Sequence, residues 1–289
     1  MIFINTQSLL NDVCSSLKNQ NILYMDTEFC RRKTYYAILS IVQISTKTQK
    51  IIIDALAKLD LSPLKEILSD PNIIKVFHSP DQDFEIFLNI FKELPKNVFD
   101  TQIAASVCGM DEGMGYSRLC KMLLNIDIDK SLQVADWLVR PLQARLLEYA
   151  IRDTEFLIPL HRILSDTLNS RKLWDSYNAK SARLLDVRSY QFSSEKNLQK
   201  MRLTNKSSEF TNNLLSFIML REECAQRLNI PRNHCASDDD LVKICSNLPT
   251  TTEQLNKLRL GFLPIAKNSF KNKLFNLCEG IAASLDDRL

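Results

Sequence analysis

Apolar positions in this chain fall into two rhythms, unbroken or alternating runs of strand length and recurrences every three or four residues. Residues 7–18 follow the helical rhythm, with Thr6 placed as their cap. Ile22-Leu23-Tyr24-Met25 is an apolar run that reads as a buried strand and continues into Asp26-Thr27-Glu28-Phe29. Residues 35–44 read as a second strand and 51–54 as a third, and the short polar turns between them predict an antiparallel meander. From residue 61 helix and strand alternate. Leu64, Ile67 and Leu68 mark a helix, 73–78 a strand, Phe84, Ile86, Phe87, Ile90 and Phe91 a helix, and 98–101 a short strand. That alternation predicts a mixed α/β sheet. Another helix carries Leu119, Met122 and Leu123, and one long helix is expected from about residue 142 to 170.

The C-terminal part reads differently. Residues 171–208 are polar and basic, with Trp174 and Tyr177 as scattered anchors, and are expected to form a helical connector. Residues 209–285 predict four or five short helices, the clearest carrying Leu214, Leu215, Phe217, Ile218, Leu220 and Cys224. The expected organisation is therefore an α/β domain over 1–170, a connector over 171–208 and an all-α domain over 209–289.

Composition narrows the function classes. Hydrophobic residues make up 45% of the 289 and charged residues 25%, enough for real cores, and no apolar run approaches a membrane span. The first residues lack the basic region and apolar stretch of a signal peptide, so a cytoplasmic protein with no membrane partner is expected. None of the eight cysteines falls in a Cys-x-x-Cys pair, which disfavours a zinc ribbon or thioredoxin-type site and predicts buried free thiols. Three scattered histidines argue against a histidine-based metal centre. Five glycines cannot build a Gly-x-Gly-x-x-Gly or Walker loop, so no nucleotide cofactor is expected. Charge is uneven: residues 1–170 hold 18 basic and 21 acidic side chains, the remainder 19 and 13. An acidic half joined to a basic half fits a metal-dependent enzyme acting on a polyanion.

The acids carry the candidate chemistry. On a strand Asp26 and Glu28 project from one face and Thr27 from the other. Two like charges that close repel unless a cation sits between them, so the pair asks for a metal. Arg31-Arg32-Lys33 follows closely and is a candidate for touching phosphates. A third acid stands at the start of the helix after the strand over 73–78, where spacing leaves Asp81 and Asp83 as equal candidates. Asp100 is expected to cap the helix that follows it. Tyr149 and Asp153 are four apart and share a helical face.

As an ordered series, Tyr24-Met25-Asp26-Thr27-Glu28-Phe29, His78-Ser79-Pro80-Asp81-Gln82-Asp83-Phe84 and Tyr149-Ala150-Ile151-Arg152-Asp153 resemble the three exonuclease motifs of the DEDD superfamily, and within it ribonuclease D. The resemblance extends to Arg31 and Thr34-Tyr35-Tyr36, to Asp100-Thr101-Gln102-Ile103-Ala104-Ala105, and to Asp129-Lys130-Ser131 with Asp136-Trp137 and Arg140-Pro141-Leu142. It selects Asp83 over Asp81 and identifies the tyrosine type of the third motif, since Glu148 stands where the other type has histidine. Residues 210–285 are similar, more loosely, to a single HRDC domain, through Arg221-Glu222-Glu223, Leu228-Asn229-Ile230-Pro231 and Leu248-Pro249-Thr250-Thr251. Pro80-Asp81 and Glu155 are local departures that place extra acids near the motifs.

The resemblance implies a ribonuclease H-like mixed-sheet exonuclease domain followed by a small HRDC-like helical domain. It implies a 3′→5′ exoribonuclease acting on RNA 3′ ends, with precursor tRNA as the expected substrate and a monomer assumed. Asp26, Glu28, Asp83 and Asp153 would hold two divalent ions, Mg²⁺ or Mn²⁺, and Tyr149 would orient the attacking water. Phe29 is a candidate for stacking on the terminal base, and Arg31, Lys130 and Arg140 are candidates for holding phosphates. The rival readings are a DNA exonuclease of the same fold and an inactive nucleic-acid-binding module.

Overall fold

The computed structural model describes residues 1–129, 131–204, 206–260 and 268–286. The chain divides into two compact units, one of residues 1–30 and 37–191, the other of residues 31–36 and 192–289.

A six-stranded mixed sheet organises the first unit, in the order β1-β4-β3-β2-β5-β6. Its strands are β1 (Ile2–Ile4), β2 (Ile22–Cys30), β3 (Ile38–Ser45), β4 (Lys50–Asp54), β5 (Ile74–Phe77) and β6 (Val98–Asp100). The expected meander is β2-β3-β4, antiparallel throughout, while β5 and β6 add in parallel beside β2. β1 pairs in parallel with β4. Three residues are too few to show a period, so only this neighbour identifies β1 as a strand. β3 begins at Ile38, later than expected, because Tyr35 and Tyr36 belong to the second unit.

Around the sheet lie α1 (Gln7–Leu17), α2 (Ser62–Ser69), α3 (Asp81–Phe91), α4 (Thr101–Val107), α5 (Tyr116–Leu124), α6 (Ala144–Glu155), α7 (Leu157–Ser170) and α8 (Trp174–Ser181). Val42, Ile44, Ile51 and Ile53 join the main core with Leu10 and Val13 of α1 and Leu64 and Ile67 of α2. Ile41 and Ile52 point the other way, onto Leu146, Ala150 and Ile151 of α6. The period of two therefore sends Asp26, Glu28 and Gln43 to the face that α6 covers. A hydroxyl pair 2.7 Å apart, Ser45 with Thr154, pins α6 to β3 there.

The single long helix expected over 142–170 is two helices, α6 and α7, parting at Phe156. Pro159 in the first turn of α7 has no N–H to offer the Glu155 carbonyl, and its ring crowds it. Nor is there a separate connector over 171–208. Tyr177 and Leu184 are buried in the first unit's core, and the Tyr177 hydroxyl accepts the Asp100 N–H at 2.8 Å. From Phe192 onward the chain packs with the second unit. A helix anchored by one or two buried residues looks polar overall, which is why this stretch reads as a linker.

The second unit contains α9 (Ser194–Lys200), α10 (Ser208–Leu228), α11 (Arg232–Cys235), α12 (Asp238–Asn247), α13 (Thr252–Lys257) and α14 (Asn268–Asp286). Ser237 and Thr251 start α12 and α13 with capping boxes closed by Asp240 and Gln254. α10 and α14, at 21 and 19 residues, are longer than the short helices expected. Leu214, Phe217, Ile218, Leu241, Ile244 and Leu274 form its core. This helical architecture is consistent with the HRDC-like domain. The cysteines are free thiols, all buried except the half-buried Cys30.

Candidate active site

Strand lengths open the site. β2 pairs with β5 only through Ile22–Tyr24 and then runs on, bonded to β3 alone. β5 stops at Phe77, and the chain turns through Ser79, at φ 56°, into α3. Asp100 holds that turn: one carboxylate oxygen accepts the Ser79 N–H at 2.9 Å and the Gln102 N–H at 2.8 Å, capping α4 as expected. A crevice is left beyond the end of β5, with the last part of β2 on one side and the first turn of α3 on the other. Open α/β sheets commonly bind ligands at such places. α6 brings Tyr149 and Asp153 to it. The cavity measures about 480 Å³, and Asp26, Glu28, Asp83, Tyr149 and Asp153 all line it.

The structure separates Asp81 from Asp83. Asp81 is partly exposed and bound by Arg183 through two hydrogen bonds of 2.6 and 3.2 Å. Asp83 is buried and accepts a hydrogen bond from the Thr27 hydroxyl. Thr27 thus supports the helix acid from the opposite face of β2, a role that its sequence position does not reveal. The extra acid Glu155 pairs with Lys50 at 2.7 Å and does not line the cavity.

Burial and mutual repulsion set the electrostatics. Burial, then Asp83, Asp153 and Glu28, hold Asp26 well above the usual carboxylate range. Burial followed by Asp153 and Asp83 pushes Glu28 up to about 9. Burial raises Asp83 to about 6 against the Thr27 hydrogen bond, and Asp153 to about 7 against one from Tyr149. The Tyr149 phenol is raised by burial and by Asp153, Glu28 and Asp26. His78, also in the cavity wall, is held down at about 4 by burial.

Among the described residues no three His, Cys, Asp or Glu side chains close around one point as a finished cage. The donor set still fits hard cations. All four acids offer carboxylate oxygen, which Mg²⁺ and Mn²⁺ prefer, and all four are pushed toward protonation, chiefly by burial. No lysine or arginine lines the cavity among the described residues.

Of the expected substrate contacts, half-buried Phe29 lines the cavity. Arg31 belongs to the second unit, and Lys130 lies outside the described residues. Arg140 is a correction. It does not line the cavity; its guanidinium grips Asp54 of β4 at 2.7 and 2.9 Å and donates to the Ser40 and Trp137 carbonyls. The Ser40 carbonyl, which also accepts the Ala55 N–H where the β3–β4 pairing runs out past Ile41 and Asp54, is shared with Arg140. Sequence reading also missed Gln82, Gln102, Tyr116 and Gln133 in the cavity wall. Gln82 and Gln102 lie one position after a helix start, Tyr116 is the first residue of α5, and Gln133 sits in a loop that carries no periodic signal.

The family described as 3′-5′ exonuclease matches residues 1–169. The chain is 33% identical over 287 residues to a ribonuclease D of Jannaschia sp., covering 98% of this chain and 72% of that protein. It is 33% identical over 259 residues to ribonuclease D of Gluconacetobacter diazotrophicus, covering 89% of this chain but 66% of the relative, a little under two thirds of its length. The fold superposes on Escherichia coli RNase D with a TM-score of 0.84 at 28% identity, covering 97% of this chain and 74% of that one. Exonucleases of the DEDD type are metal-dependent, in keeping with the uncompensated acids. With sequence, sheet order and acid-lined crevice in agreement, the chain belongs to the ribonuclease D family.

Proposed function

We propose that this chain is a metal-dependent 3′→5′ exoribonuclease that releases 5′-mononucleotides from RNA 3′ ends. The observation that carries this reading is the convergence of Asp26, Glu28, Asp83, Asp153 and Tyr149 on one cavity. RNA as substrate rests on the ribonuclease D relatives; the Escherichia coli protein is an exoribonuclease involved in structured RNA processing. Precursor tRNA in the cytoplasm is the proposed substrate and setting.

The proposed cofactors are two divalent ions, Mg²⁺ or Mn²⁺, which when bound neutralise phosphate charge and make water a better nucleophile. Asp26, which faces all three other acids, would be the central ligand of the set. Glu28, Asp153 and Asp83 would supply further carboxylate oxygen to the ions. Thr27 occupies one Asp83 oxygen and so fixes which oxygen faces the cavity. Tyr149, its phenol pushed above its ordinary value, stays protonated at neutral pH and orients water rather than taking its proton. Phe29 offers an aromatic face to the terminal base.

The test is a gel assay with 5′-labelled single-stranded RNA and matching DNA, in Mg²⁺, Mn²⁺ or EDTA. A ladder that shortens RNA from its 3′ end, absent in EDTA, is expected. Tyr149→Phe should lower kcat by about 10²-fold with KM little changed. Faster shortening of DNA would replace RNA as the substrate. RNA shifted by binding but never shortened would make the chain an inactive binding module.

A further inference from the structure

Gln43 stands in the middle of β3, fully buried, and neither its amide nitrogen nor its amide oxygen has a hydrogen-bond partner among the described residues. A buried amide with both ends unpaired is costly, and an apolar side chain of the same shape would fill the space without that cost. Its place in the sheet supplies a reason. Gln43 is the residue directly opposite Asp26 across the β2–β3 ladder. Directly opposed residues share a face, with Cβ atoms about 4.5–5.5 Å apart. The other surroundings of this position are apolar or already engaged, apart from the unpaired indole N–H of Trp137. Across β4 stands Ile52, two residues back stands Ile41, and α6 presents Ala150 and Ile151 to that layer. Ser45, two residues on, shares its hydroxyl with Thr154. Asp26 is thus the charged group that faces Gln43 along the ladder.

We propose that Gln43 is a positioning residue for the reaction assigned above, its amide N–H₂, unpaired in this structure, turning to donate to the Asp26 carboxylate when cation is held there and so fixing the orientation of that carboxylate. The inference rests on the reading of Asp26 as a metal ligand. A neutral donor suits this task. Lysine or arginine here would neutralise Asp26 and compete with the ion, whereas an amide directs the carboxylate and leaves its charge available. The indole N–H of Trp137, buried in the same apolar layer and likewise unpaired, is the matching donor for the amide oxygen.

The test compares the full chain with Gln43→Met, close in shape but with no donor, using Mn²⁺ titrated by calorimetry without RNA. Metal-free melting and steady-state kinetics on labelled RNA are read in parallel. Mn²⁺ affinity is expected to weaken by about 10–100-fold, as for other partners of metal ligands. At limiting Mn²⁺, kcat should fall by a similar factor with KM for RNA nearly constant, while the metal-free protein melts no lower than wild type. In an Asp26→Asn background, Gln43→Met should change Mn²⁺ affinity no further. Unchanged affinity and kcat in Gln43→Met, or an equal loss of affinity in both backgrounds, would overturn the proposal. Gln43→Leu replaces Gln43→Met should the latter fail to fold. A wild-type chain that binds Mn²⁺ yet shortens no nucleic acid would sink the assigned function while leaving the calorimetric test of Gln43 in force.

Discussion

Asp26 in the first unit is half-buried and Glu222 in the second is buried, and the surroundings of these two carboxylates are opposite. Glu222, 5% exposed, accepts from the Arg232 guanidinium at 2.8 Å, from the Tyr35 hydroxyl and from Gln226 at 3.2 Å. Arg232 lies over the rings of Tyr35 and Phe192, at 4.8 and 5.0 Å. This acid is compensated within its own unit and ties residues 31–36 into it. Asp26 faces Glu28, Asp83 and Asp153, in a cavity that no lysine or arginine lines among the described residues. Burial alone therefore does not separate a structural acid from a functional one. The sign of the charges around it does.

The largest effect should come from Asp26→Asn, expected to lower kcat by about 10³-fold or more, since the proposed charge neutralisation depends on this group. The same substitution removes a repelled carboxylate, so the metal-free protein should melt higher than wild type. A lower melting point together with intact activity would break the contrast with Glu222.

Next is the pH dependence of the metal-free fold. Glu28, Asp153 and Asp83 have folded pKa values of about 9, 7 and 6, all above their ordinary 4.5, 3.8 and 3.8. Raised pKa values stabilise the fold fully below about pH 4, and that contribution is lost as pH rises through the folded values. In EDTA the melting temperature should therefore fall between about pH 5 and pH 9 as these acids ionise. Mg²⁺ or Mn²⁺ should remove the decline. A flat profile in EDTA would mean that the acids repel one another less than their burial implies.

In the second unit, Arg232→Ala leaves Glu222 buried without its cation. Because Arg232 is itself 40% exposed, the expected loss is about 1–3 kcal/mol by chemical denaturation, below that of a fully buried pair. Adding Glu222→Gln should recover part of it. The smallest effect is expected at Asp81, partly exposed and paired with Arg183: Asp81→Asn should cost about 0–1 kcal/mol and leave kcat unchanged. A strong loss of activity there would reopen the choice between Asp81 and Asp83.

Local periodicity made much of the candidate site legible. Asp26 and Glu28 share a face because strands repeat every two residues, and Tyr149 and Asp153 share one because helices nearly repeat every four. The strand–helix alternation likewise announces the mixed sheet, and the capping of α4 by Asp100 is a local matter. These relations depend only on neighbours in the chain. What the sequence could not decide involves partners far along it. Spacing leaves Asp81 and Asp83 equivalent and only the family resemblance chooses between them, whereas in the fold Arg183, 102 residues away, takes the first and Thr27 the second. Arg140 looks like a phosphate ligand until Asp54, 86 residues earlier, claims it. β1 is a strand only because β4 lies beside it, and residues 171–191 are part of the first unit only because its core accepts Tyr177 and Leu184. Gln43 is one polar residue in an apolar run until the ladder sets it opposite Asp26. Sequence carries the period of each element, whereas which charge meets which depends on strand register and on how helices seat. Those are settled by the whole core at once, which is why only the tertiary structure could decide them.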